Sequence, residues 1–162
     1  DRGEIETISR GIYRLADLPA LGNPDLVTVA LRYPKAVVCL ISALSFHGIT
    51  TQVPYEVSVA VARNTTLPKL DYPPLDAHWF SGEAYESGIE IHEVDGVPVN
   101  VYSPEKTLAD CFKFQGKLGT EVVVEALRLY KERKQVKVQE LLKQARLRRM
   151  MKVMMPYLEA VL

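Results

Sequence analysis

The run GIEIHEVDGVPVNVYSPEKTLADCFKF, residues 88–114, constrains the fold of this chain more than any other stretch. Ile89, Ile91 and Val94 lead into Asp95-Gly96, a dipeptide suited to the two left-handed positions of a type I′ turn, and Val97, Val99 and Val101 lead out. An antiparallel hairpin is predicted. Directly behind it, Ser103-Pro104-Glu105 supplies an N-cap, a first-turn proline and an acid for the positive end of a helix through KTLADCFKF. A two-stranded ribbon is marginal in water by itself, so this unit needs a wider sheet and a helical layer over it.

The rest of the chain provides both. YEVSVAVA alternates Val57, Val59 and Val61 against Glu56, Ser58 and Ala60, which predicts a strand. AHWFSG predicts another, and the continuous apolar run at 36–40 suits a short buried strand. Ser42 is placed to cap a one- or two-turn helix ending at Gly48, where glycine accepts a left-handed C-cap. In LGNPDLVTVALRYP, Asn23 is the expected N-cap, Pro24 the first helical residue, and Tyr33-Pro34 the stop. NTTLPKLDYPPLD reads as a loop. Past residue 114, Gly116 is the expected break. TEVVVEALRLYKERK then forms a helix, and two more follow, with Pro156 opening or kinking the last. The opening GEIETISRGIYRLA spaces Ile5, Ile8, Ile12 and Leu15 around Ser9-Arg10-Gly11, which predicts a small hairpin. Strands and helices are segregated along the chain, so the fold class is α+β, with a mixed, mainly antiparallel sheet and C-terminal helices. A boundary between ribbon and body is expected near residues 19–23.

The 162 residues carry no formal net charge, yet the charges are separated. Residues 131–152 hold nine Lys/Arg and two Asp/Glu, a net of +7, whereas 69–95 hold one Lys and seven acids, a net of −6. A basic end of this kind suits an anionic partner or an acidic face of another protein. Cys39 and Cys111 lie in apolar runs and read as buried structural thiols. No apolar run reaches the ~18 residues of a membrane span, and a reducing cytoplasm is the expected setting.

Motifs for catalysis are thin. Neither phosphate-loop nor dinucleotide glycine spacing occurs, and there is no nucleophile elbow. His47 is expected at a helix C-terminus; His78 and His92 lie on strands. Glu132-Arg133-Lys134 matches E-x-K, but in a charge-rich helix end where salt links are ordinary. In SPEKTLAD, Lys106 and Asp110 are four apart on one helix face and form an expected ion pair, with Thr107 beside them as part of a candidate partner or functional surface that includes His47. In the tail, Lys143, Arg146, Arg149 and Lys152 recur at three-residue steps beside Arg148, a density suited to phosphate contacts. No metal or cofactor is expected.

Three segments together, ISRGIYRL, CLISALSFHGITTQVP and VYSPEKTLADCFKF, resemble the AbiEi-type antitoxins, transcriptional regulators of type IV toxin–antitoxin and phage-defence operons. The resemblance implies an N-terminal winged helix-turn-helix, of which residues 1–19 would be the wing, followed by an α+β C-terminal domain at 20–162. It implies a non-catalytic repressor of its own promoter DNA, with a nucleotidyltransferase-like toxin as functional counterpart and direct contact between the two left open. Ser9, Arg10 and Tyr13 of the wing, with Arg146, Arg148, Arg149 and Lys152, are then the candidate DNA contacts. The alternatives are a metal-dependent nuclease or nucleotide-modifying enzyme using Asp110, Lys106 and a histidine, or a pure protein-interaction module.

Overall fold

The computed structural model describes the backbone of residues 5–9 and 12–15 and the whole of 23–162. Strands β1 (Ile5–Ser9) and β2 (Ile12–Leu15) pair antiparallel, Ile5 opposite Leu15, with an irregularity between Thr7 and Ser9. The expected hairpin is therefore present. Its tip at Arg10-Gly11, the side chains of Ser9 and Tyr13, and the proposed boundary at 19–22 fall outside the described residues.

The body is a five-stranded sheet with a helical layer on each face. Helix α1 (Pro24–Arg32) precedes β3 (Val37–Val38), α2 (Leu40–Phe46), β4 (Val57–Ala62) and β5 (Leu75–Phe80). Then come α3 (Glu83–Glu86), β6 (Ile89–Val94) and β7 (Val97–Tyr102). The chain ends in α4 (Pro104–Lys113), α5 (Gln115–Leu118), α6 (Thr120–Lys131), α7 (Val138–Leu147) and α8 (Met151–Val161). Strand order is β5-β4-β3-β7-β6. The sheet is mixed, as expected, but its four pairings divide evenly: β3–β4 and β6–β7 antiparallel, β4–β5 and β3–β7 parallel. The proline-rich loop after β4 carries the chain back to the strand's starting end, so β5 runs parallel to β4 over all six residues.

Strand alternation sends side chains to two cores. Val57, Val59 and Val61 meet Val38, Val99, Val101 and the inner face of α1 at Leu26, Val27 and Val29. Val37, Ala60, Phe80 and Tyr102 point the other way, into Leu108, Phe112, Leu127, Leu141 and Met154 from the helices. The β6–β7 turn has the expected left-handed pair, Asp95 at φ 50° and Gly96 at φ 80°.

Several local expectations are displaced. The apolar run at 36–40 forms only a two-residue strand, because α2 starts at Leu40 with Cys39 as its N-cap. Ser42 lies inside that helix and does not cap it. Its Oγ donates to the Glu56 carbonyl at 3.2 Å and accepts from the Ser58 N–H at 2.8 Å, stitching α2 to β4. Asn23 occupies the N-cap position of α1 without a side-chain cap bond. The break after α4 falls at Phe114 and the larger turn at Gly119, φ 96°, whereas Gly116 sits within α5. Pro156 lies inside α8 instead of opening it.

Candidate functional site

The SPEKTLAD segment opens α4, and its polar side chains face inward. Ser103 caps the helix by accepting the Lys106 N–H at 3.1 Å. Pro104 takes the first helical position, where a missing N–H costs nothing. Thr107 Oγ1 donates to the Tyr102 carbonyl at 3.3 Å. The expected Lys106–Asp110 pair forms, Nζ to Oδ2 at 2.6 Å, with both side chains fully buried. Asp110 Oδ1 accepts from Arg148 Nε, also at 2.6 Å, with the Arg148 side chain 9% exposed. One carboxylate thus lies between two cations. The faces of Tyr102 and Phe80 supply further negative potential: Lys106 Nζ is 3.9 Å from the Tyr102 ring centre, and the Arg148 guanidinium is 4.8 Å from that of Phe80. Burial outweighs Asp110 and holds the Lys106 ammonium below the usual lysine range. Burial likewise pushes the Tyr102 phenol far up, and its hydroxyl donates to the Tyr85 carbonyl at 2.6 Å.

Two expectations change here. Lys106, Thr107 and Asp110 lie beneath the surface, because their charges and hydroxyl are spent joining α4 to β7 and α7. They do not form a partner-facing patch. Arg148 is drawn in with them by Asp110 and is not presented beside Arg146, Arg149 and Lys152, all of which are exposed.

His47 is the C-cap of α2, the helix terminus anticipated for it. Its Nε2 lies 2.7 Å from the Tyr102 carbonyl, so that nitrogen carries the hydrogen. Burial lowers its pKa, which favours the neutral hydrogen-bond donor over a cation on the helix dipole. The Phe46, His47 and His92 rings meet edge to face, with the two imidazole centres 5.9 Å apart. His92 Nε2 is 2.8 Å from Glu90 Oε1. Arg133 Nη1 donates to the His47 carbonyl at 2.9 Å. Glu105, 4% exposed, accepts from Tyr130 Oη on its Oε2 at 2.6 Å. His47, Glu90, His92, Glu105, Arg133 and Lys137, with Pro104 and Gln135 between them, line a partly open pocket of about 210 Å³ at the start of α4.

A second cluster lies on β4, β5 and α5. Asp76 accepts from Lys117 Nζ at 2.6 Å and from Ser58 Oγ at 3.1 Å, and His78 Nε2 is 3.0 Å away. Desolvation works against the Asp76 carboxylate, but its bonds to Lys117 and His78 together hold its pKa below the ordinary value. Both cysteines are free and buried, and burial pushes their thiols well up, which suits packing and not nucleophilic chemistry. Among the described residues, no three or more His, Cys, Asp or Glu are grouped to hold a metal ion, and no helix is long and apolar enough to cross a membrane.

Neither the Asp76 cluster nor the Glu90–His92 pair stood out in the sequence, although both share a signal. D-x-H at 76–78 and E-x-H at 90–92 have the i, i+2 spacing that puts two side chains on one strand face. The role of Arg148 had no such signal, because its partner lies 38 residues away. No protein-family model and no curated protein matches the chain.

Proposed function

We propose that the chain is a non-catalytic, AbiEi-like antitoxin and DNA-binding repressor, whose basic α7–α8 corner contacts the phosphates of its own promoter. The observation that carries the DNA contact is the state of the tail cations. Lys143, Arg146, Arg149 and Lys152 are exposed, and among the described residues none of them forms an ion pair. Lys152 lies in the first turn of α8, and Met150 provides no side-chain cap there. A cation at the positive end of a helix is unfavourable by itself, on the order of 0.3–1 kcal/mol. A phosphate beside it reverses that sign, since lysine and helix terminus then both face an anion. Arg148 acts differently: buried on Asp110, it anchors the α7–α8 turn under the exposed charges. The antitoxin role itself follows from the three resembling segments, with the nucleotidyltransferase-like toxin as functional counterpart.

The enzyme alternative relied on Lys106, Asp110 and a histidine. Burial of the first two, and the pairing of Asp110 with both Lys106 and Arg148, count against it.

The test is binding of the full-length natural protein to a duplex of its own promoter and to a scrambled duplex, titrated with salt. The promoter is expected to bind more tightly, with affinity falling by a slope of about −0.9 per phosphate neutralised. Replacing Arg146, Arg149 and Lys152 with Gln is expected to make that slope shallower by up to about 2.7 without altering the melting temperature. Arg148→Gln is expected to lower the melting temperature instead. Equal binding of both duplexes refutes the repressor reading, since phosphate contacts carry no sequence information, and a slope unmoved by the triple substitution refutes the DNA contact. Co-expression with the neighbouring toxin, read as restored growth, tests the antitoxin role separately.

A further inference from the structure

The pocket beside α4 holds charges of both signs that do not meet. Its cationic side is Arg133 and Lys137, on the segment joining α6 to α7; its anionic side is Glu90 on β6 and Glu105 on α4. Among the described residues, neither cation forms an ion pair with either carboxylate. Arg133 instead bonds the neutral His47 carbonyl, Glu90 bonds His92, and Glu105 bonds Tyr130. Glu105 is the most telling of these. It is 4% exposed, yet only Oε2 has a hydrogen-bond partner, and Oε1 is left for whatever enters the pocket. Among the described residues the buried side-chain atoms left without a partner are Thr28 Oγ1 and Gln144 Oε1, so Glu105 Oε1 is open to the pocket, where an ammonium group can reach it.

Size narrows the occupant. At about 210 Å³ the space is below the roughly 300–1,000 Å³ of sites for cofactors and drug-sized molecules. At ~30 Å³ per water it holds about seven water-sized units, comparable with the heavy atoms of a small free amino acid. His47 and His92, edge to face with Phe46, form a wall with both apolar and polar character.

We infer that this pocket binds a small zwitterion of the α-amino-acid class, its ammonium on Glu105 and Glu90 and its carboxylate on Arg133 and Lys137. The site is independent of the α7–α8 basic corner and of the DNA contact assigned to it.

The experiment is calorimetric and thermal-shift titration of the full chain with glycine, alanine, serine and threonine in turn. Acetate and ethylamine serve as half-ligands carrying one charge each. At least one amino acid is expected to give saturable binding that neither half-ligand reproduces. Glu105→Gln keeps an acceptor for Tyr130 and is expected to weaken that binding tenfold or more; Lys137→Met is expected to weaken it as well. Absence of saturable binding by all four amino acids overturns the assignment. So does equal binding of a half-ligand, or affinity unchanged by Glu105→Gln. Should Glu105→Gln fail to fold, the half-ligand comparison on the unaltered chain and the Lys137→Met titration decide the matter.

Discussion

Replacing Asp110 with asparagine keeps the side-chain shape and removes one charge, at the place where two cations depend on it. In the native protein, Oδ2 lies 2.6 Å from Lys106 Nζ and Oδ1 lies 2.6 Å from Arg148 Nε, with exposures of 0%, 0% and 9% for Asp110, Lys106 and Arg148. The substitution leaves two buried cations facing each other across a neutral amide. Breaking a buried ion pair by removing one partner costs about 3–5 kcal/mol. For a chain of this length each kcal/mol moves the melting temperature by roughly 2–4 °C, so a fall of roughly 6–20 °C is expected by calorimetry or circular dichroism. The pH dependence is more diagnostic. Burial already holds Lys106 below its ordinary 10.5, and losing Asp110 lowers it further. Between that depressed folded value and the unfolded value, the unfolded chain binds more protons, so stability rises with pH. The deficit of Asp110→Asn is therefore expected to shrink as pH rises towards the ordinary lysine value of 10.5. Adding Lys106→Met removes one of the two uncompensated charges and is expected to recover part of the loss. A cost below about 1 kcal/mol, the worth of an ordinary hydrogen bond, or a cost independent of pH, would refute the electrostatic account.

Gly88 is left-handed at φ 80°, and a Cβ there would lie 2.6 Å from Lys106 Cβ; Gly88→Ala is expected to cost about 2 kcal/mol or more, roughly 1–2 of it from the backbone, read as a lower urea midpoint with unchanged slope. For His47, burial lowers the pKa from 6.5, so the unfolded chain binds the extra proton first, and stability is lost as pH falls through 6.5 towards the folded value. His47→Gln, which retains a donor for the Tyr102 carbonyl, is expected to flatten that acid limb, and an imidazole NMR titration midpoint at or above 6.5 would contradict it.

Much of the fold is legible because it rests on local rules. The β6–β7 hairpin follows from Asp95-Gly96 between alternating valines and isoleucines, and the start of α4 from Ser103-Pro104, since turn chemistry and capping act over a few residues. The errors cluster where a distant partner outbids the local preference. Ser42 is a good cap in isolation, but the Glu56 carbonyl and Ser58 N–H hold its hydroxyl within the helix. The direction of β5 is set by how the long loop after β4 returns, not by anything in the strand itself.

The same division holds for the polar residues. Spacing alone brings Lys106 and Asp110 together, because positions four apart share a helix face; which face that is depends on where the helix packs. The sheet and α7 close over it, so a motif that resembles a surface patch becomes an interior anchor, and Arg148 is pulled out of the basic stripe to complete it. The pocket between Glu105 and Arg133 is wholly tertiary in origin, drawing on β6, the end of α2, the start of α4 and the α6–α7 connection. The sequence determined the elements and the one-turn pair. Only packing decided which charges are buried, which remain exposed, and which face one another across a gap, because burial and long-range charge proximity depend on segments that chain order keeps far apart.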